Sequence, residues 1–400
     1  MNSFIFQNPT KIYFGENAIR YLGDALKPYG KNILLTYGMG SIKKSGIYDA
    51  TMDILKKSGK CVYELSGIMP NPRKEKVYEG IHLCRKHKID IILAVGGGSV
   101  IDCSKFIAAG TKTDRDFWHA FLVNQEECYD ALPLASILTL AGTGSEMNCG
   151  GVISDFENKL KLAYSNPLLY PKFSILDPTY TYTLSHDQTT YGTIDAISHI
   201  LEVYFSKPDD SNLSDDLAEA ILKNIISSYF QLLSSSHDYT AKANLMWCTS
   251  LALNGLLSLG KEGDWMSHQI EHALSAFYDI PHGAGLAIVH PNYLEFVYKS
   301  AIPKFARFAR VVMGVKYKGK TDAEVALDGI YALKDFFRAI GAPTKLQDVN
   351  ISESAIEMLA NTVIVYPTSY AKKFSKDDVK TILHACLEHK SRKYEGGLVP

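Results

Sequence analysis

Long apolar runs are missing from this 400-residue chain: none approaches the ~18 consecutive apolar residues that suggest a membrane-spanning helix. The first ten residues, Met1 to Thr10, lack the charged and apolar regions of a secretory signal. A dominant sign of charge is absent too. The 42 Lys and Arg face 43 Asp and Glu, so no global field draws the protein to nucleic acid or acidic lipid. Cysteines are few and scattered, seven in all at positions 61, 84, 103, 128, 149, 248 and 386, with no CxxC pair. An odd, dispersed set argues against a disulfide frame or a zinc ribbon, and for reduced thiols in the cytoplasm. No low-complexity tract or internal repeat appears. What remains is an ordinary globular composition, 46% hydrophobic and 21% charged.

Two textures divide the chain. Up to about Ser185, apolar strand-like runs alternate with helical spacing. Lys31 to Tyr37, Cys61 to Leu65, Ile89 to Val95 and Leu134 to Leu138 read as strands, and Ile47 to Ser58 and Glu75 to Lys86 as helices. Ile89 to Val95 is apolar except at Asp90, as a strand covered on both faces would be. The alternation predicts a Rossmann-like, doubly wound α/β domain over residues 1–185. Beyond it, strand candidates nearly vanish. Helical spacing recurs over 190–205, 213–233, 240–259, 265–277, 302–313, 323–340 and 377–390, which predicts an all-helical domain over 186–400.

Two glycine loops follow apolar strands in the first half. Ile91 to Val95 runs into Gly96-Gly97-Gly98-Ser99 and then a helix, where bare N–H groups and the helix dipole favour an anion. No Gly-Lys-Ser/Thr closes the turn, so it is not a P-loop, and it departs from GxGxxG. Leu138 to Glu146 is a second such loop, with Gly142, Thr143 and Gly144. Two phosphate-binding loops in one α/β half suggest a dinucleotide. The end of the first strand, Gly38-Met39-Gly40-Ser41, carries no acid to hold a ribose 2′-hydroxyl, and Lys43 and Lys44 follow. That favours NADP(H), unless the lysines simply begin a solvated helix.

Asp195 and His199 lie four apart, so a helix places them on one face, close enough to grip one ion. His268 and His272 repeat the spacing after Asp264, a candidate N-cap. A Pro281 turn then allows His282 to fold back toward them. Imidazole with carboxylate suits Fe²⁺ or Zn²⁺. HxxxH alone is common on ordinary helices; joined to a dinucleotide half it becomes far more specific.

These segments resemble the iron-containing alcohol dehydrogenases, in particular an NADPH-dependent butanol dehydrogenase and aldehyde reductase branch. The resemblance runs from Phe6 to about His389. It rests on Tyr37 to Lys44, Pro70-Asn71-Pro72, Gly96 to Asp102, Leu138 to Glu146, Leu176-Asp177-Pro178, Asp195-x-x-x-His199 and Trp265 to His272 through His282-Gly283. It implies that Asp195, His199, His268 and His282 hold the metal and that His272 is a proton relay beside the substrate. It further implies that Gly97, Gly98 and Ser99 form the pyrophosphate turn. Asp102, Thr139, Thr143 and Lys161 fall at cofactor-contacting positions, Gly38 and Ser41 at the 2′-phosphate region, and Asn71 toward the nucleotide. The implied activity is hydride exchange between NADP(H) and a short alcohol or aldehyde, and the implied assembly is a homodimer. A glycerol dehydrogenase-like or dehydroquinate synthase-like enzyme would share the scaffold, the latter with basic residues for a phosphorylated substrate. A nucleotide-binding sensor without turnover would be expected to lack a ligand, and none of the four is missing.

Overall fold

The apolar runs of the first half become adjacent strands. In the computed structural model, which describes residues 1–210, 212–368 and 374–397, β1 (Lys11–Phe14), β2 (Asn32–Tyr37), β3 (Cys61–Leu65), β4 (Ile91–Gly96) and β5 (Leu134–Leu138) precede an antiparallel hairpin, β6 (Gly150–Asp155) and β7 (Leu160–Ser165). With β8 (Phe173–Leu176), the first five form a parallel sheet of order β1-β8-β5-β4-β2-β3.

Side chains alternate between two cores. Leu34, Ile92, Ala94 and Leu134 face the helices Lys74–His87 and Gly98–Thr111; Ile33, Leu35, Ile91 and Leu93 face Leu22, Leu26 and Leu55. Both faces are dry, which is why the central strands read as unbroken apolar runs. Each such buried Leu or Ile contributes about 1.5–3 kcal/mol relative to exposure. Strand order reverses where β2 and β4 pair, with Tyr37 opposite Val95. The glycine turns at Gly38 and Gly96–Gly98 therefore leave adjacent carboxyl ends at the switch point, where open α/β sheets take their ligands. Gly96 in turn lies opposite Leu138, which brings in the Thr139 loop.

The compact units do not divide the chain at one point. One unit is Gln7–Ser185 with Ser228–Asn254; the other is Met1–Phe6, His186–Ser227 and the chain from Gly255 onward. Thus the helix Tyr239–Ala252, capped by the Asp238 side chain accepting from Ala241 N at 2.8 Å, belongs with the sheet. Met246 is buried in the α/β core.

The second unit is helical. Thr321 and Glu324 form a capping box on Asp322–Ala339, as do Ser375 and Asp378 on Lys376–Ala385. One long helix, His282–Val297, was not among the helices expected from spacing, because Gly283, Gly285 and Pro291 lower its local propensity. Among the described residues no helix is long and apolar enough to cross a membrane.

Candidate metal centre and nucleotide loops

The helix His186–Tyr204 carries Asp195, His199 and Glu202 at i, i+4 and i+7, hence along one face. The helix Met266–Tyr278 carries His268, Glu271, His272 and Ser275 in the same way. Its N-cap is Trp265. Asp264 lies one residue earlier, accepting from Met266 N at 3.4 Å and from the Tyr293 hydroxyl at 2.7 Å. His282 opens the third helix. A Cβ on Gly283 would stand 2.2 Å from the Tyr191 carbonyl oxygen, so this helix comes close to the first only because position 283 has no side chain.

From Asp195 Oδ1, the Nε2 atoms of His199, His282 and His268 lie at 3.4, 3.5 and 3.7 Å. Donors about 2.1 Å from one tetrahedral ion would stand about 3.4 Å apart, whereas hydrogen bonds cluster near 2.9 Å. Asp195 Oδ1 and His268 Nε2 are buried, and neither makes a hydrogen bond among the described residues. Asp195, His268 and His282 form the tight set, with donor atoms within 4.8 Å of one another. His199 joins through Asp195 and through ring stacking on His268, 4.8 Å between centroids. A divalent cation fits this donor set. His272 is buried beside it, its ring centroid 5.7 Å from that of His282.

The electrostatics agree. Burial pushes His199 down to about 4, leaving a neutral lone-pair donor at neutral pH. Burial opposes charge on His268 as well, but Glu202 and Asp195 outweigh it and hold the ring up to about 10. Burial likewise opposes the Asp195 carboxylate, yet the surrounding imidazoles keep it well below the usual range. These buried carboxylates need positive charge nearby, from imidazolium or from an ion.

Glu202 and Glu271 were not among the residues expected at this site. Glu202 Oε2 lies against His268 Nδ1, while Oε1 accepts from Ser267 Oγ at 2.5 Å and from His268 N at 3.2 Å. Ser267 Oγ also meets His290 Nδ1 at 2.8 Å. Glu271 accepts from His282 Nδ1 and from Ser275 Oγ. Their only sequence signal is spacing, each three residues beyond a ligand candidate on the same helical face.

The nucleotide-loop residues cluster in the other unit. Gly98 begins its helix after Gly97, and a Cβ at 98 would stand 2.4 Å from Thr143, so the two glycine loops touch. Ser99 and Thr139 are half-buried at the same strand ends, and Thr139 N donates to Gly96 O at 3.1 Å. Asp102 is turned toward the protein: Oδ1 accepts from Ser145 Oγ at 2.5 Å and Oδ2 from Val152 N at 3.0 Å. Buried Lys105, unforeseen, donates to Ser145 Oγ, Asn148 Oδ1 and Gly150 O at 2.6–2.8 Å. Asn71 is buried with φ 51°, and Lys161 is buried on β7. At the end of β2, Gly38 packs near Ile68 and Ser41 starts a short helix. Lys43 lies over the Tyr37 and Tyr48 rings, whose hydroxyls donate to Glu64 at 2.7 and 2.9 Å.

A parallel sheet with phosphate-type loops, and a helical unit with an Asp/His cluster, define a metal-dependent dinucleotide oxidoreductase. Residues 9–178 match the iron-containing alcohol dehydrogenase model and 189–387 the C-terminal model of the Fe-containing alcohol dehydrogenase family. The chain belongs to this family. It is 45% identical to NADH-dependent butanol dehydrogenase A of Clostridium acetobutylicum, over 91% of this chain and 93% of that one. With the NADPH-dependent aldehyde reductase YqhD of Escherichia coli it shares 38%, over 90% and 92%. The crystal structure of NADH-dependent butanol dehydrogenase A from Thermotoga maritima superposes with a TM-score of 0.91 at 40% identity, covering 97% of this chain and 99% of that one.

Proposed function

We propose that the protein exchanges hydride between NADP(H) and short primary alcohols or aldehydes, with one Fe²⁺ or Zn²⁺ held by Asp195, His199, His268 and His282. The observation that carries this reading is the set of ~3.5 Å separations converging on buried Asp195 Oδ1. In the reductive direction the reduced nicotinamide would supply hydride to the carbonyl carbon, and the carbonyl oxygen would take up a proton. An ion held by these four side chains would supply Lewis acidity to the substrate oxygen. His272 stands beside the ligand set and is assigned the proton. Gly97, Gly98, Ser99, Thr139 and Thr143 are assigned to the phosphates, with Asn71, Asp102 and Lys161 lining or bracing the same loops.

NADP(H) is supported by the acid-free end of β2 at Gly38 to Ser41. A second reading, NADH, is favoured by the cofactor in the names of the butanol dehydrogenases above and by the Glu64 carboxylate beside Lys43. Initial rates with NADPH and NADH against butanal, glyceraldehyde and methylglyoxal, with metal content from the same sample, test both. Higher kcat/KM with NADPH is expected; a preference for NADH selects the second reading, and no oxidation of either cofactor overturns the activity. We also assign a homodimer, supported by the edge position of β1 and the exposed Phe4, Ile5 and Phe6 before it. A solution mass of twice 44.4 kDa is expected by light scattering, and a monomer refutes it.

A further inference from the structure

Two glutamates behind the donor set are wholly inside the helical unit, Glu202 at 1% exposure and Glu271 at 0%. A buried carboxylate is expensive unless it is paired, and each of these faces a histidine Nδ1. An ionised carboxylate can only accept, so the imidazole must donate Nδ1–H. When the ring is neutral, that leaves the Nε2 lone pair bare, on the side facing Asp195 Oδ1. The surroundings are shaped for this arrangement. Ser275 Oγ donates to the second Glu271 oxygen, and a Cβ on Gly285 would stand 2.7 Å from Glu271 Cγ, so glycine leaves room for the carboxylate. Ser267 and the His268 backbone N–H both donate to Glu202 Oε1.

We infer that Glu271 and Glu202 are positioning residues for the metal centre, fixing the ring orientation and tautomer of His282 and His268 so that both present Nε2 to one ion. The inference rests on the proposed ligand set. Glu271 bears the larger share, because His282 is the most exposed of the four ligands, its side chain 25% accessible, and is tied to the protein at the very start of its helix. Replacing either carboxylate by an amide of the same shape lets the amide N–H₂ donate to Nδ1, which moves the ring proton onto Nε2 and blocks the ligand.

The test is chelator-driven release of Zn²⁺, and of Co²⁺ after exchange, from the purified holoenzyme, with bound metal counted per chain. Glu271→Gln is expected to weaken metal binding by roughly 10–100-fold, as loss of a carboxylate behind a ligand histidine does. Glu202→Gln should act in the same direction. Ser275→Ala, a small change that removes the donor to one Glu271 oxygen and a 3.3 Å contact with Ile280 O, should weaken binding several-fold and decides the matter if Glu271→Gln fails to fold by circular dichroism. His268→Ala is measured alongside. If it too retains metal, the ligand set itself is wrong; if it loses metal while Glu271→Gln and Ser275→Ala bind within twofold of wild type, the positioning role alone is refuted. Two ions per chain would overturn it differently, making Glu271, His272 and His282, whose donor atoms also lie within 4.8 Å, ligands of a second ion.

Discussion

Gly283 shows how a residue without a side chain can place a candidate metal ligand. Its missing Cβ lets the backbone of the helix His282–Val297 approach Tyr191, and that approach sets His282 against Asp195. Gly283→Ala must push the helices apart. It is expected to cost about 1–3 kcal/mol by overpacking and to reduce metal retention. Thermal melting with metal content on the same sample checks both, and unchanged values for both refute the argument. Asp264 carries a different expectation. Burial, reinforced by Glu202, raises its carboxyl to about 6. In that state the folded protein binds more protons than the unfolded chain between pH ~4 and 6, so this group's stabilisation is complete below the unfolded pKa and lost as pH rises through about 6. Asp264→Asn keeps an acceptor for the Tyr293 hydroxyl and removes the ionisation. Relative to wild type, the variant should gain about 3 kcal/mol between pH 4 and 7.5, read from urea midpoints. A pH-independent difference would exclude the assignment. Asp195 and His199 were legible in sequence as unlike donors at i, i+4, whereas His268 and His282 were singled out from the neighbouring His272 only by the family resemblance. Glu202 and Glu271 were not legible, because a glutamate on a helix ordinarily reads as solvated, and only burial reveals otherwise.

At the scale of elements, the two glycine loops are braced from beneath. Lys105 is fully buried on Gly98–Thr111, and its ammonium joins Ser145, Asn148 and Gly150, so one side chain ties the first glycine loop's helix to the second loop and to β6. Burial lowers this amine to about 8. Lys105→Met keeps the stem and leaves the buried oxygens short of a donor, at about 1–3 kcal/mol in stability. If the brace serves the cofactor, KM for the nicotinamide nucleotide should rise on the order of tenfold, equivalent to about 1.4 kcal/mol, with a smaller change in kcat. Equal loss in kcat with unchanged KM would refute it. The loops were readable from glycines at strand ends. The brace was not, since a lysine within GSVIDCSK looks like any helical lysine until Ser145 arrives from forty residues away. The helix His282–Val297 hid for the opposite reason: its two glycines and Pro291 look like breakers locally, whereas close packing demands both glycines.

On the scale of the whole molecule, alternating strands and helices in the first half, and long helical periods in the second, announced the two kinds of architecture. What local periodicity cannot say is which body a helix packs against, and Ser228–Asn254 is the instance. Within the α/β unit, Met246 fills the core and Trp247 meets Phe14 edge to face, 5.9 Å between ring centroids. Ser250 Oγ donates to buried Glu146, the Tyr239 hydroxyl accepts from Glu16 N at 3.1 Å, and Asn8 donates to Asn254 O at 3.0 Å. Gly144, at the turn of the second glycine loop, sits where a Cβ would stand 3.2 Å from Thr249 O. A fragment of residues 7–185 contains every strand of the sheet yet lacks all of these contacts. It strips the loop 142–146 of its backing and leaves Glu146 without the Ser250 hydroxyl. Loss of a buried apolar residue such as Met246 alone costs about 2–5 kcal/mol, a large part of the 5–15 kcal/mol that holds a typical domain. The fragment is therefore expected to melt without cooperativity and to be cut rapidly by protease within 139–150. A sharp thermal transition near that of the intact protein would refute the claim that the returning helix is part of the nucleotide unit's core.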